Sequence, residues 1–176
     1  MKFRLTIIST GGTIEKTYCP RNGALVNETS VLDILLSELE LPEIELLRCS
    51  ACNMDSLDMT PADHASIVDT VCEHLDSSDG VIVVHGTDRL TNTGELLQER
   101  MEQVGGWSAP VVLTGAMRPY ELRASDALQN MTEAIMAVQL LDPGVYCVLH
   151  SKVLPFPGVT KDSEQGTFIP SDPDAA

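Results

Sequence analysis

The sequence predicts an α/β fold: an open, mostly parallel sheet with helices on both faces. Two observations carry this. Short runs that are apolar throughout alternate with longer stretches whose apolar residues recur every three or four positions. A strand apolar at every position has no wet face, as expected of a parallel strand covered by helices on both sides.

The elements follow in chain order. Arg4–Ser9, Gly80–His85, Pro110–Thr114 and Gly144–His150 read as buried strands, with a weaker one at Ile44–Cys49. Ser30–Glu40 reads as a helix with a serine cap and Leu32, Leu35, Leu36 and Leu39 on one face, stopped by Pro42. Thr60-Pro61-Ala62-Asp63 has the form of a helix start, with a threonine cap, proline at the first helical position and an early acid. Val68, Val71, Cys72 and Leu75 continue it as an apolar stripe. Ser125 to Leu141 is the clearest helix, through Leu128, Met131, Ile135, Val138 and Leu141. The order implies flavodoxin- or Rossmann-like layering in one domain over residues 1–170. The polar, proline-broken residues 171–176 read as a frayed tail.

Composition narrows the function. A net charge of -15 argues against nucleic acid, whose recognition needs clustered Lys and Arg, and against an anionic membrane surface. No apolar run is long enough for a membrane span, and Leu5–Ile8 is too short for a signal-peptide core. A cytoplasmic location is the expectation. The scattered cysteines Cys19, Cys49, Cys52, Cys72 and Cys147 are odd in number and fit reduced thiols. Cys49-Ser-Ala-Cys52 has metal or redox spacing. It lacks a second pair or matching histidines for zinc, and Asn53-Met54-Asp55-Ser56 reads as loop where a redox pair would open a helix. Small apolar filler at a strand end is the expectation. His85 and His150, also at strand ends, have no ligand spacing around them and read as core or hydrogen-bonding residues.

In open α/β sheets ligands bind beyond the carboxyl ends of the strands, so the residues there are read together. They are Ser9-Thr10-Gly11-Gly12-Thr13, His85-Gly86-Thr87-Asp88 and Thr114-Gly115-Ala116-Met117-Arg118-Pro119. Glycine lets a backbone approach a ligand closely, and threonine supplies a hydroxyl that bonds or attacks. One such loop is ordinary turn chemistry; three converging ones are not. Neither phosphate-binding spacing, G-x-x-x-x-G-K-[ST] or G-x-G-x-x-G, occurs.

These segments, Thr10-Gly-Gly-Thr-Ile14, His85-Gly-Thr-Asp88 and Leu113-Thr-Gly-Ala-Met-Arg-Pro119, resemble the bacterial-type L-asparaginase/glutaminase family. Ser56-Leu-Asp-Met59 and Val159-Thr-Lys161 are similar to its substrate loop and lysine segment, and the order agrees over nearly the whole chain. The resemblance implies the fold of that family's N-terminal domain. It implies hydrolysis of the side-chain amide of L-asparagine, and of L-glutamine less well, through a threonine acyl-enzyme without cofactor or metal. It implies Thr13 as nucleophile, Tyr18 as the mobile tyrosine over it, and Thr87, Asp88 and Lys161 as a second catalytic group. Ser56 would hold the substrate's α-carboxylate and Asp88 its α-ammonium, with Gly12, Gly86 and Ala116 lining the site.

Those residue types suit the chemistry. A threonine hydroxyl needs a neighbouring base, and a lysine serves only in its neutral form. The oxyanion needs preorganised N–H donors, which glycine loops supply. Which threonine attacks first stays open, since Tyr18 stands beside one and Lys161 beside the other in the motif order.

The chain departs from the family pattern in places. Long-chain members carry a second, C-terminal domain that supplies a glutamate to a neighbouring subunit; this chain ends where it would begin, and the resemblance is to the short form. Leu57 stands where long-chain enzymes usually carry a substrate-binding glutamine, with Asp58 the candidate to take over the ammonium contact. Arg89 replaces a usual threonine, and Pro155-Phe156-Pro157 is an atypical approach to Lys161. Active sites of this family are completed at subunit interfaces, so a homo-oligomer, dimer or tetramer, is expected. Three competing functions remain: a catalytically weak amino-acid-binding or regulatory protein of the same fold, motivated by Leu57; an L-glutaminase; and an amidase component that feeds ammonia to a partner.

Overall fold

The computed structural model describes residues 2–27 and 30–171. Its centre is a six-stranded sheet. Four of its strands are β1 (Phe3–Gly11), β4 (Ile44–Met54), β5 (Gly80–Val84) and β6 (Val111–Thr114). The others are β7 (Val145–Leu149) and β8 (Lys152–Pro155). Spatial order is β4-β1-β5-β6-β7-β8, with every pair parallel except the last, β7–β8. Among the parallel strands this is the order 2-1-3-4-5 in sequence. The chain reverses direction across the sheet between β1 and β5, and that is where such folds bind ligands.

The alternation of side chains along each strand builds two cores. Val81, Val83, Val111 and Leu113 face α2 (Pro61–Leu75) and α3 (Leu90–Gln103) through Ile67, Val71, Leu90 and Leu97. Ile82, Val84 and Val112 face α1 (Leu32–Ser37) and α4 (Ala127–Val138) through Leu32, Leu35, Met131 and Ile135. Both faces of the central strands are thus dry. Each such side chain contributes about 2 kcal/mol by leaving water.

Several expectations need correction. β4 does not stop at Cys49, and Asn53-Met54 is not loop. β1 itself runs on to Gly11, slips register after Ser9 and pairs Gly11 with Met54, which keeps β4 extended beside it. Cys49 and Cys52 therefore lie within a strand; Cys52 Sγ meets the Thr10 carbonyl at 3.4 Å, and burial pushes its thiol up to about 11. Leu128 is not in the core: it is 36% exposed, because the buried face of α4 runs through Ala127, Met131 and Ala134, about 100° away. The helix expected to begin at Ser30 begins at Leu32, whose amide nonetheless bonds Ser30 Oγ at 3.3 Å.

The sequence gives no clear sign of α3, because its inward face includes Thr93 and Gly94 where a stripe would show large apolar residues. The aromatic ring of Phe156 fills that gap: a Cβ on Gly94 would lie 2.1 Å from it. Two hairpins are equally unmarked, β2 (Thr17–Cys19) with β3 (Ala24–Val26) and β9 (Val159–Asp162) with β10 (Thr167–Pro170). Fraying does not start at residue 171, since the Ser171 amide donates to the Gly158 carbonyl at 2.7 Å; the rest of the expected tail, 172–176, lies outside the described residues.

Candidate active site

The loops after β1, β5 and β6 meet at their glycines. A Cβ built on Gly12 would lie 2.4 Å from Gly86 Cα, one on Gly86 would lie 2.5 Å from Ser56 Oγ, and one on Gly115 would lie 2.3 Å from the His85 carbonyl oxygen. No side chain fits at any of these three contacts. Thr13 and Thr87 each follow a glycine of the first contact, so both threonines lie where these two loops touch, at the switch point of the sheet.

Thr87 is buried and has a lysine in reach. Lys161 enters on β9, and its Nζ lies 2.9 Å from Thr87 Oγ1 and 2.8 Å from Asp88 Oδ1. The strand is held by its partner in the hairpin, where Lys161 pairs with the buried Phe168. A residue 74 positions away in sequence is thereby delivered to the threonine after β5. An amine this close to a hydroxyl and a carboxylate is an arrangement suited to proton transfer at the threonine oxygen.

Thr13 opens a short 3-10 turn, Thr13–Glu15, and is half-buried. Its hydroxyl makes no hydrogen bond among the described residues. Tyr18 is 56% exposed on β2, with its amide bonded to Glu121. No hydrogen bond joins its phenol to Thr13 among the described residues, so this conformation does not bring the pair together.

Ser56 is completely buried, and its Oγ has no hydrogen-bond partner among the described residues. A buried hydroxyl without a partner costs stability, which a bound acceptor or donor would recover. Leu57 and Asp58 are exposed on the same turn, and Asp58 makes no ion pair among the described residues. Ala116 is fully buried behind the third loop.

Supporting residues carry a weaker signal in the sequence. Glu15 is only 2% exposed; it accepts from the Gly11 amide at 3.1 Å and from Ser30 Oγ. Burial holds its carboxyl above the ordinary glutamate value, with both hydrogen bonds opposing. Asn27 Nδ2 donates to the Gly12 carbonyl at 2.8 Å, and Lys16 pairs with Asp55 at 2.6 Å, tying the glycine loop to the Ser56 turn. Arg89 does the same for the second loop, donating from Nη1 to the Met59 carbonyl at 2.7 Å. Asp126, buried at the start of α4, accepts from the amides of Met117 and Arg118, both at 2.9 Å, and bonds His150 Nε2 at 2.8 Å. Polar residues flanking a glycine loop are the signal for these, but their partners lie far off in sequence. Among the described residues no group of three or more His, Cys, Asp or Glu is placed to hold a metal ion.

His85 is fully buried, and burial pushes its imidazole down to about 4 from the ordinary 6.5; the Gly86 carbonyl 2.8 Å from Nδ1 opposes this only in part. Between those values the unfolded chain takes up a proton that the native state refuses. Stability is therefore fully present above pH 6.5 and is lost as pH falls toward 4, by about 3 kcal/mol from this residue. Urea unfolding between pH 4 and 7 checks it: the slope should flatten by that amount in His85→Gln, and an unchanged slope contradicts the assignment.

Known proteins resemble this chain over most of its length. The family described as Asparaginase, N-terminal matches residues 4–167. A glutamyl-tRNA(Gln) amidotransferase subunit from Methanococcus vannielii is 28% identical over 151 residues, 85% of this chain and 34% of that one. L-asparaginase 1 of Escherichia coli K12 is 31% identical over 139 residues, 76% of this chain and 40% of that one. The solved thermostable L-asparaginase from Thermococcus kodakarensis superposes with a TM-score of 0.84 at 29% identity, covering 95% of this chain and 51% of that one. This chain thus spans between about a third and a half of the length of these relatives. With the family match running from β1 through β9 and the same α/β sheet in the superposed structure, the chain belongs to the asparaginase N-terminal family.

Proposed function

We propose that the protein is an amidohydrolase that converts L-asparagine to L-aspartate and ammonia through a threonine acyl-enzyme, with L-glutamine a poorer substrate. The observation that carries the reading is Lys161 Nζ within hydrogen-bond distance of both Thr87 Oγ1 and Asp88 Oδ1, beside loops that touch at glycine. In this reading Thr13 attacks the amide carbon, Thr87 and Lys161 move the proton, and the leaving nitrogen departs as ammonia. Water then cleaves the ester, and the same base takes the water's proton. Backbone N–H groups of Gly86 and Ala116 line the oxyanion side, and Gly12, whose own amide donates to the Met54 carbonyl at 2.9 Å, lines the site through its close approach. Ser56 holds the α-carboxylate, and Asp88 with Asp58 holds the α-ammonium. Tyr18 reaches Thr13 when the β2–β3 hairpin closes over substrate.

The direct test is ammonia release from L-asparagine and L-glutamine by the purified protein across about pH 6–10. Turnover above a Thr13→Val, Thr87→Val double variant is the expected result; its absence sinks the proposal. Mass spectrometry of a trapped acyl adduct decides between the threonines, and an adduct on Thr87 alone would overturn the assignment of Thr13.

Similarity to an amidotransferase component supports a second reading, in which the same chemistry supplies ammonia to a partner. Co-purification with a synthetase-like or transferase protein separates it from the first. Exposed Leu57 motivates a weakly catalytic binding protein, which calorimetry would reveal as aspartate or asparagine binding without turnover. The cytoplasmic and homo-oligomeric parts of the proposal draw on free cysteines among the described residues and on apolar side chains left exposed at Ile34 and Leu47.

A further inference from the structure

Beneath the Gly86–Thr87 loop lies a line of three buried side chains that the proposed reaction does not use. His85 Nδ1 is 2.8 Å from the Gly86 carbonyl oxygen, His85 Nε2 is 2.8 Å from Thr93 Oγ1, and Thr93 Oγ1 is 2.7 Å from His64 Nδ1. His85 and Thr93 are 0% exposed and His64 3%. The two rings also stack, 5.9 Å between centroids and 8° from parallel.

The line has one direction. A carbonyl oxygen only accepts, so His85 Nδ1 carries the proton. A neutral ring then presents a lone pair at Nε2, which accepts a hydrogen bond from the Thr93 hydroxyl. The Thr93 oxygen is left to accept from His64 Nδ1–H. Burial holds both imidazoles below the ordinary histidine value, which supports neutral rings. His64 Nε2, the far end, is buried with no partner among the described residues.

Its near end is at the site. The Gly86–Thr87 peptide is planar, so a pinned Gly86 carbonyl also sets the direction of the Thr87 amide and the root of its side chain. Thr87 Oγ1 then stands 2.9 Å from Lys161 Nζ. Hydroxyl and lysine come from elements that share no hydrogen-bonded ladder, so their register depends on such pins.

We propose that Thr93 and His64 are positioning residues: with His85 they form a one-way hydrogen-bond line that fixes the Gly86–Thr87 peptide plane and holds Thr87 in register with Lys161. This rests on the amidohydrolase reading for its kinetic consequence but not for its structural one. Long-range 1H–15N spectra of the intact protein read the structural part. Both His64 and His85 should be protonated at Nδ1, the less common tautomer. In Thr93→Val the Thr87 amide resonance should move, and in Thr93→Ser it should return. Protonation of His85 at Nε2, or an unmoved Thr87 amide, overturns the proposal whether or not the protein turns over asparagine. With turnover established, Thr93→Val should lower kcat about 10-fold with KM within about twofold, and Thr93→Ser should rescue it. Equal kcat in Thr93→Val and wild type overturns the kinetic role. If Thr93→Val does not fold, His64→Phe keeps the ring stack while removing the donor, and the His85 Nε2 resonance should shift; no shift also overturns the line.

Discussion

Replacing Lys161 by methionine is expected to lower kcat for amide hydrolysis by about 1,000-fold. Methionine keeps an unbranched apolar stem of similar length on β9 and removes only the nitrogen that sits 2.9 Å from Thr87 Oγ1. General acid–base groups contribute about 100- to 10,000-fold, and a lysine proposed to deprotonate a hydroxyl while it pairs with Asp88 belongs in the middle of that range. Asp88 loses its cation at the same time, so KM is expected to rise if Asp88 holds the substrate ammonium. Steady-state ammonia release gives both constants, and far-UV circular dichroism checks that the variant is folded. A folded Lys161→Met variant within about threefold of wild type would remove Lys161 from the mechanism.

Gly12→Ala is expected to destabilise the protein by about 4 kcal/mol and to abolish activity. Two costs combine. Gly12 has φ 75 and ψ -172, a region open essentially to glycine alone. The new Cβ would also meet Gly86 Cα at 2.4 Å and Gly86 N at 2.5 Å; both are backbone atoms, so no side-chain rotation relieves the clash. Relief means moving the β1 loop away from the β5 loop, and that separates Thr13 from Thr87. Gly23→Ala is the matched control, because Gly23 also has positive φ, 71, but nothing lies within 4 Å of its Cβ position. It should cost about 1 kcal/mol from backbone strain alone. Urea midpoints of the two variants check the comparison. Equal costs would show that φ, and not close approach, is why glycine stands at 12.

The buried strands and the capped helix α2 are readable in the sequence because local chemistry dictates them. Thr60 and Asp63 form a reciprocal capping box, Pro61 begins the helix, and no distant residue is needed to see it. α3 is hidden for the opposite reason. Thr93 and Gly94 face inward only because His85 and Phe156 are there to receive them. β9–β10 has the same character: its place in the site comes from the lysine it carries, and nothing in Val159-Thr-Lys161 alone marks a strand.

Fold class, motif order and the residue types at the strand exits are written in the chain itself. They depend on periodicity, turn chemistry and spacing, all of which are local. Which of those residues meet is a matter of folding. Tertiary packing joins Lys161, on its separate hairpin, to Thr87 and Asp88, packs Gly12 on Gly86, and buries the Ser56 hydroxyl without a partner among the described residues. It leaves Tyr18 exposed and without a hydrogen bond to Thr13. Such pairings follow from the order of strands across the sheet and from the packing of loops, hairpins and helices against it. Neither is recorded in any one segment, because each contact joins residues that lie far apart along the chain.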